Sequence, residues 1–252
     1  MIKKYRKDGD VSYALGATVV MELMKRRPQD VRAVYISPKS NVVAVIEKAR
    51  EIGAEIIESE KAFNILSPKE NCFAIAEFGK FDAKISGDRH HVVLVNPSNA
   101  GNLGTVVRDV AAFDCADLAI IRPAVDPFDP KTVRASMGTV FDINFELFDS
   151  FDAYVKRFDN EIVPFMLGGS PFREKSFTAE SGAKKYSLVF GNEATGLPQE
   201  FERFGAVRIE QSKNVDSLNL STAVAVGLYK LYTSRSGNTH SVLSTAEHSE
   251  LA

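Results

Sequence analysis

The stretch 207–232 constrains the fold most, because a short apolar run, a polar turn and a long apolar segment follow one another there without a gap. From Leu218 to Tyr232, apolar residues occur on nearly every helical face, so a helix here has little surface to offer to water. Its first turn is polar. Polar side chains at a helix start can satisfy the free N–H groups there and can hold ligands. The polar residues are Asp216, Ser217, Asn219, Ser221 and Thr222. The stretch therefore predicts a buried or interface helix whose first turn is a candidate site.

The N-terminal part of the chain shows the alternation of helical and extended patterns that is typical of a compact α/β module. The expected helices are 12–26 and 42–53, and the expected strands are 31–37, 54–58 and 72–78. A polar segment at 84–89 then separates this module from the rest of the chain. We therefore expect a first domain over residues 1–85.

The remainder of the chain contains apolar, β-branched runs of the kind found in buried parallel strands. The expected strands are 91–95, 118–121, 162–167, 187–190 and 206–209, and the expected helices are 103–113, 131–141 and 218–232. Loops of small and polar residues follow these strands, and in a parallel α/β sheet such loops gather at the carboxyl ends, where ligands bind. We expect this second domain to cover 88–235 and a disordered tail to cover 236–252.

Composition disfavours several classes of protein. No run approaches the ~18 apolar residues of a membrane span, and the basic start lacks the apolar segment of a signal peptide, so we expect a cytoplasmic protein without a membrane partner. Cys72 and Cys115 lie beside apolar residues, as reduced and buried thiols do. The histidines show no metal-ligand spacing with one another or with the cysteines, so the sequence implies no metal.

The net charge of −2 is a mild argument against a nucleic-acid partner, because domains that bind nucleic acid are usually basic. The distribution of charge is more informative than its sum, since two basic clusters lie in the first module, at 3–7 and 25–27. Contact with phosphate and ordinary solvated surface charge both remain open for these clusters.

Three loops contain the residues that could do chemistry. They are 96–108, 191–197 and 209–221. The segment GNLGTVVR (101–108) matches neither GxGxxG nor GxxxxGK[ST], so nucleotide folds of those kinds are disfavoured. Taken singly, Arg108 is compatible with a surface ion pair, and Glu193, Ser217 and Asn219 are compatible with helix caps.

Taken together and in order, the three loops resemble the SpoU (TrmH) branch of the SPOUT class of S-adenosylmethionine-dependent RNA methyltransferases. The first motif falls on Asn102, Gly104 and Arg108, the second on Gly191, Glu193, Gly196 and Leu197, and the third on Ile209, Ser217, Leu218, Asn219 and Ser221. RASMG (134–138) also resembles a segment of this family, and the likeness extends over about 91–233. Three positions depart from the pattern: Glu210 and Ala100 stand where proline is frequent, and Asp114 stands where glycine is common.

The resemblance implies a fold class and an activity. The expected fold is α/β, with a C-terminal SPOUT domain that has a mostly parallel sheet and a deep trefoil knot, preceded by a small L30e-like domain that binds RNA. The implied reaction is transfer of a methyl group from S-adenosylmethionine to a ribose 2′-hydroxyl of RNA, ribosomal RNA before tRNA. Members of the family are homodimers with the site at or near the interface.

The resemblance also implies roles for individual residues. Backbone groups of Gly191, Ile209 and Leu218 are expected to hold the cofactor. The expected catalytic residues, which face the RNA, are Asn102, Arg108, Glu193, Ser217 and Asn219. We prefer Arg108 as a phosphate clamp over a general base, because a guanidinium with a pKa above ~12 gives up a proton reluctantly.

Two alternatives come from other classes of protein. The first is an RNA-binding protein of the same fold without catalytic activity, against which the intact Arg108, Glu193 and Asn219 argue. The second is a nucleotide-dependent α/β enzyme, which the missing phosphate loop disfavours.

Overall fold

The computed structural model describes residues 2–67, 72–114, 116–177 and 185–236. Cys115 and residues 237–252 of the expected tail lie outside the described residues, and Ser236 ends the last helix. Cys72 is a free, buried thiol, as its apolar neighbours predict. Among the helices of the described part, none combines the length and the apolar character that crossing a membrane requires.

The first part of the chain forms a four-stranded sheet accompanied by three helices. The elements are β1 (Val11–Leu15), α1 (Ala17–Arg26), β2 (Val31–Ile36), α2 (Val43–Glu51), β3 (Glu55–Glu58), α3 (Glu60–Leu66) and β4 (Ala74–Gly79). The spatial order is β1–β4–β2–β3, in which β4 runs antiparallel to both neighbours and β2 is parallel to β3. The strands expected at 31–37, 54–58 and 72–78 are therefore confirmed, and α3 was not predicted.

The prediction of one helix over 12–26 is wrong in its first part. Residues 12–15 belong to β1 and are buried, and α1 starts only after Gly16. Gly16 has φ 101°, a conformation that interrupts the helical spacing and favours glycine. The strand exists because it pairs with β4, a partner that is remote in sequence and that local spacing does not reveal.

The second part forms a six-stranded sheet with helices between the strands. The elements are β5 (His90–Val95), α4 (Ala100–Phe113), β6 (Ala116–Ile121), α5 (Pro130–Ala135), β7 (Phe145–Phe148), α6 (Phe151–Val155), β8 (Glu161–Pro171), β9 (Tyr186–Phe190), β10 (Val207–Arg208) and α7 (Leu220–Ser236). The order is β10–β8–β9–β5–β6–β7, and every neighbouring pair is parallel. The expected parallel α/β sheet is confirmed, while β7 and α6 were not predicted.

The helix expected over 131–141 is two shorter elements. Helix α5 ends at Ala135, and a separate 3₁₀ turn covers Thr139–Phe141. Between them Met137 and Gly138 have φ values of 53° and 88°, which no α-helix tolerates. A Cβ at position 138 would lie 2.7 Å from Cβ of Glu22, so the first module packs directly against this turn and glycine is required there.

Both faces of the second sheet are buried at strand β5. Successive side chains of a strand point to opposite sides, so neighbouring residues of β5 enter different cores. Val92 and Leu94 of β5 belong to the core shared with α4 and α7, whereas Val93 and Val95 belong to a second core beneath α6. The continuous apolar run that predicted β5 follows from this double burial.

The two sheets share one core cluster. Phe78 of β4 packs edge-on against Phe141 at a ring-centroid distance of 5.1 Å and against Phe128 at 6.2 Å. Both partners follow β6 in the second part of the chain. The first module is therefore joined to the second by a buried aromatic contact.

Helix α7 is buried on one face only. Val224, Leu228 and Leu231 are fully buried against the sheet and α4. On the other face Val226, Tyr229 and Tyr232 are 38%, 61% and 45% exposed. The sequence predicted a buried helix or an interface helix, and the exposed apolar side within one chain favours the interface helix.

Candidate functional site

A cavity of about 670 Å³ opens at the carboxyl ends of β8 and β9, beside the first turn of α7. Its lining includes every residue to which the sequence gave a role except Arg108. These residues are Asn102, Gly191, Glu193, Ile209, Ser217, Leu218 and Asn219. The three loops therefore meet at one edge of the sheet, as parallel topology requires.

Glu193 lies at the N-terminal end of α4 and accepts four hydrogen bonds. Its Oε2 receives the backbone N–H and the hydroxyl of Ser98, at 3.1 and 2.8 Å. Its Oε1 receives the backbone N–H of Asn99 and the side-chain amide of Asn102, both at 3.2 Å. Free N–H groups and the helix dipole both favour an anion at such a helix start. Glu193 therefore binds the start of α4, and not that of the turn which follows it in sequence.

The ionisation of Glu193 follows from these contacts. Burial alone would raise the pKa of the carboxyl, but hydrogen bonds from backbone N–H groups and from the side chains of Ser98 and Asn102 outweigh it. The net effect is a pKa below the ordinary value of 4.5. Glu193 is therefore an anion at neutral pH, and its acceptor positions are already in use.

Asn102 and Asn219 join the first turns of α4 and α7. The side-chain amide of Asn219 donates to Oδ1 of Asn102 at 3.1 Å, and Asn102 donates in turn to Glu193. Oδ1 of Asn219 also accepts from the backbone N–H and the hydroxyl of Ser221, so it caps α7. The capping role is real, but the amide also completes a row of polar groups, Glu193–Asn102–Asn219, along the cavity.

Two glycines of the motifs are required by close approach of backbone. A Cβ on Gly191 would lie 2.1 Å from the carbonyl carbon of Gly196 and 2.4 Å from N of Leu197. A Cβ on Gly104 would lie 2.5 Å from Cβ of Ala135. Gly191 thus lets the loop after β9 fold back on itself beneath the cavity, and Gly104 lets α4 pack against α5.

The rest of the lining combines apolar side chains with backbone edges. Phe165, Phe190, Leu197 and Ala223 supply apolar surface next to Ile209 and Leu218. Such a mixture is typical of pockets that hold a small molecule with one flat apolar part. Among the described residues, no group of His, Cys, Asp and Glu has the arrangement that a metal ion needs.

Arg108 is not brought to the cavity of this chain. It is exposed on α4, one turn beyond Gly104 on the side that faces α5. Asn102 lies six residues earlier, which is about 9 Å along the helix and on another face. The polar row and Arg108 therefore occupy different surfaces of one protomer.

The three departures from the family pattern have local explanations. Ala100 is the first residue of α4, where proline and alanine are both accepted. Asp114 caps the same helix with φ 41°, the left-handed conformation that glycine adopts more easily. Glu210 is exposed and lies 3.0 Å from Arg173 in an ion pair, and it does not line the cavity. The extra charge therefore points away from the site.

Sequence reasoning missed several residues that build the site. Ser98 and Asn99 hold Glu193, and Asn192 fastens its loop by donating to the carbonyl oxygen of Asn96 at 2.8 Å. Arg208 is the basic residue of the cavity lining. The signal available for Ser98 and Asn99 was a serine followed by an asparagine at the start of a helix, where Asn99 is the N-cap. No signal in the sequence pointed to Arg208.

Comparison with known proteins gives a match to one family model and three similar proteins or solved structures. The model of the SpoU rRNA Methylase family matches residues 89–229. The chain is 32% identical over 149 residues to ribosomal RNA small subunit methyltransferase G 2 of Syntrophobacter fumaroxidans. The aligned region covers 59% of this chain but only 28% of that protein. The AdoMet-bound rRNA methyltransferase from Sinorhizobium meliloti superposes with a TM-score of 0.72 at 27% identity, over 88% of this chain and 86% of the other.

A third match is shorter. A structure that gives insights into the 2-OH methylation of C/U34 on tRNA superposes with a TM-score of 0.55 at 31% identity, over 60% of this chain and 99% of that chain. The region that the family model matches, 89–229, contains the residues that line the cavity, and the similar proteins include ones named for ribosomal RNA and for tRNA.

Proposed function

Because the chain belongs to the SpoU rRNA methylase family, we propose that it transfers a methyl group from S-adenosylmethionine to a ribose 2′-hydroxyl of RNA. The observation that carries the proposal is the hydrogen-bonded row Glu193–Asn102–Asn219 along one side of the cavity. It presents amides to a substrate from the first turns of two helices.

The cavity suits the cofactor. S-adenosylmethionine has a flat, largely apolar adenine and a polar amino-acid part, and the cavity offers apolar side chains next to exposed backbone. Backbone groups of Gly191, Ile209 and Leu218 would hold the adenosine. When bound, the cofactor supplies an electrophilic methyl group.

The residues of the chain would act mainly by positioning. A 2′-hydroxyl is a weak nucleophile that must approach the methyl group in line, and fixing that geometry contributes much of a rate enhancement. Asn102, Ser217 and Asn219 can hydrogen-bond the ribose, and Glu193 fixes Asn102 and the start of α4. Arg108 clamps a phosphate and stabilises negative charge that develops on the oxygen.

We further propose a homodimer. The exposed aromatic face of α7 continues into α4, where Phe113 contacts Tyr229 and Tyr232 at centroid distances of 6.3 and 5.9 Å. An exposed apolar patch of this kind is typical of a protein interface. Arg108 does not line the cavity of its own chain, and we propose that the partner copy supplies the Arg108 that acts there.

The fold-level part of the proposal goes beyond the observed sheet. We propose that the domains cover 1–85 and 88–235, that the first is L30e-like and binds RNA, and that the second contains a deep trefoil knot. The preferred substrate is ribosomal RNA, ahead of tRNA, in the cytoplasm. Of the two basic clusters, Lys25, Arg26 and Arg27 each lie in an ion pair with an acidic residue, whereas Lys3, Lys4 and Lys7 form no such pair among the described residues.

Calorimetry and methyl transfer test the proposal. We expect micromolar binding of S-adenosylmethionine and no binding of ATP, which separates a methyltransferase from a nucleotide-dependent enzyme. Mapping of 2′-O-methyl positions in RNA from cells with and without the gene then identifies the product. Two outcomes would favour the catalytically inactive RNA-binding protein. One is cofactor binding with the same 2′-O-methyl positions in cells with and without the gene, and the other is RNA binding without cofactor binding.

A further inference from the structure

The loop 122–129, between β6 and α5, lies between the first module and the site. On one side its Asp126 is bound by two residues of the first module. Oδ2 accepts the hydroxyl of Tyr5 at 2.5 Å and the ammonium of Lys80 at 2.8 Å. Oδ1 accepts the backbone N–H of Phe128 at 2.8 Å, so one carboxylate fixes both the module and the turn of the loop.

This contact is largely removed from water. The side chains of Lys80 and Asp126 are 15% and 12% exposed, and the Lys80 ammonium also donates to the carbonyl oxygen of Lys7 at 2.8 Å. Removing one partner of such a pair leaves a charge without its counterpart, which is costly in a site of this burial. The contact therefore constrains the loop much more than an exposed ion pair would.

The other side of the loop touches the segment that holds Glu193. The N–H of Val125 donates to the carbonyl oxygen of Pro97 at 2.9 Å. Ser98 and Asn99 follow immediately, and their N–H groups are the ones that bind Glu193. Asp126 and Glu193 are thus linked by one loop, one backbone hydrogen bond and two consecutive residues.

We propose that Asp126 is a positioning residue through which the first module sets the geometry of the site. By fixing 122–129, it holds Pro97 and hence the two N–H groups that orient Glu193 and, through Glu193, the amide of Asn102. The inference rests on the proposed function for its catalytic consequence, but its structural part does not depend on the reaction.

The first measurement is hydrogen–deuterium exchange of the full chain at the amides of Ser98 and Asn99. In Asp126→Asn we expect exchange there to accelerate about tenfold, because local opening becomes easier. Tyr5→Phe removes a single donor and should give a smaller acceleration at the same amides, which keeps the test usable if the first variant folds poorly. Unchanged exchange at both amides in both variants would overturn the proposal.

The control is Asp142→Asn. Asp142 forms an ion pair with Arg26 at 3.1 Å across the same junction of the two parts, but its side chain is 47% exposed and, among the described residues, forms no ion pair with the loop 122–129. We expect exchange at Ser98 and Asn99 to stay within about twofold of wild type in this variant. An equal acceleration in Asp142→Asn would mean general loosening of the junction and would also overturn the proposal.

The second measurement is single-turnover methyl transfer to unmodified transcripts of ribosomal RNA and of tRNA. With enzyme and cofactor saturating, Asp126→Asn should lower the rate about tenfold, while the affinity for S-adenosylmethionine stays within about twofold, because the loop does not line the cofactor cavity. A loss of cofactor affinity with an unchanged rate would contradict the positioning role. If wild type methylated neither transcript, the proposed function would fail, and the exchange result would still decide the role of Asp126.

Discussion

Asp109 gives the sharpest test of the electrostatics of the fold. It lies on α4 seven residues after Asn102 and four before Phe113, which places it on the same helical face as these two residues, and both contact α7. Its Oδ2 is buried and has no hydrogen-bond partner among the described residues. Burial raises the pKa of this carboxyl from 3.8 to about 6, and the neighbouring Arg108 offsets only part of the effect. We predict that Asp109→Asn stabilises the protein at neutral pH.

The size and sign of this effect follow from the pKa. A difference of about two pH units corresponds to at most ~3 kcal/mol, at ~1.4 kcal/mol for each unit. Because Asp109 is partly exposed, solvent screening reduces the expected gain to ~1 kcal/mol. The folded-state pKa is raised, so the penalty on wild type is full above pH 6, declines between pH 6 and pH 3.8, and is absent below both pKa values.

Urea unfolding at matched protein concentration measures the prediction. At pH 7.5 the free energy of unfolding of Asp109→Asn should exceed that of wild type by ~1 kcal/mol, and the difference should shrink by about half at pH 5. Asp159→Asn, an exposed aspartate, serves as the control and should change nothing at either pH. A destabilised Asp109→Asn at pH 7.5, or a gain that does not depend on pH, would refute the reasoning.

Three further predictions concern the site. Gly191→Ala should abolish binding of S-adenosylmethionine in calorimetry, because even a Cβ meets the carbonyl carbon of Gly196 at 2.1 Å, whereas Gly168→Ala, with its nearest neighbour at 4.0 Å, should retain it. Arg108→Ala should leave cofactor affinity within a few-fold but lower the single-turnover rate about 10²- to 10³-fold. The rate of Arg108→Lys should lie between those of wild type and Arg108→Ala, with the pH dependence of wild type. If the Lys variant were active only at high pH, residue 108 would be acting as a general base. Asp114→Gly should raise the thermal midpoint, by an amount equivalent to ~0.5–1 kcal/mol, because φ 41° costs a non-glycine residue more.

The central strands β5, β6 and β9 could be predicted from the sequence because they are buried on both faces. Mainly apolar runs such as 91–95 and 187–190 are typical of buried parallel strands. The polar loops after them indicated the edge of the sheet where the site lies. Strand β7 was missed because it is short, and β1 because its pairing with β4 is remote in sequence. The spacing of apolar residues indicates which faces of a segment are buried, but it does not indicate which remote strand the segment pairs with.

The motif residues were predicted by resemblance, but their partners were not. Nothing in the sequence indicates that Glu193 accepts from Ser98 and Asn99, because Ser98 and Glu193 are 95 residues apart in the chain and meet only because β5 and β9 are neighbours in the sheet. The same holds for Asp126, which in the sequence is one of several aspartates in a proline-rich loop. Both contacts join segments that are remote in sequence, two loops after neighbouring strands in one case and a loop and the first module in the other, and only the folded structure brings them together.

The site also limits what chemistry the chain can perform. Glu193 is the acidic residue of the cavity lining, and its carboxylate already accepts four hydrogen bonds, so it is poorly placed to take a proton from a ribose hydroxyl. Asn102, Ser217 and Asn219 are not bases at neutral pH, and the guanidinium of Arg108 does not readily release its proton. The described residues therefore fit a reaction in which geometry and stabilisation of developing negative charge lower the barrier, and in which the hydroxyl proton leaves to solvent. On this reasoning, the rate depends on two groups of contacts, those that fix the position of Glu193 and those that touch the substrate. The carboxylate of Asp126, remote from the cavity, belongs to that first group.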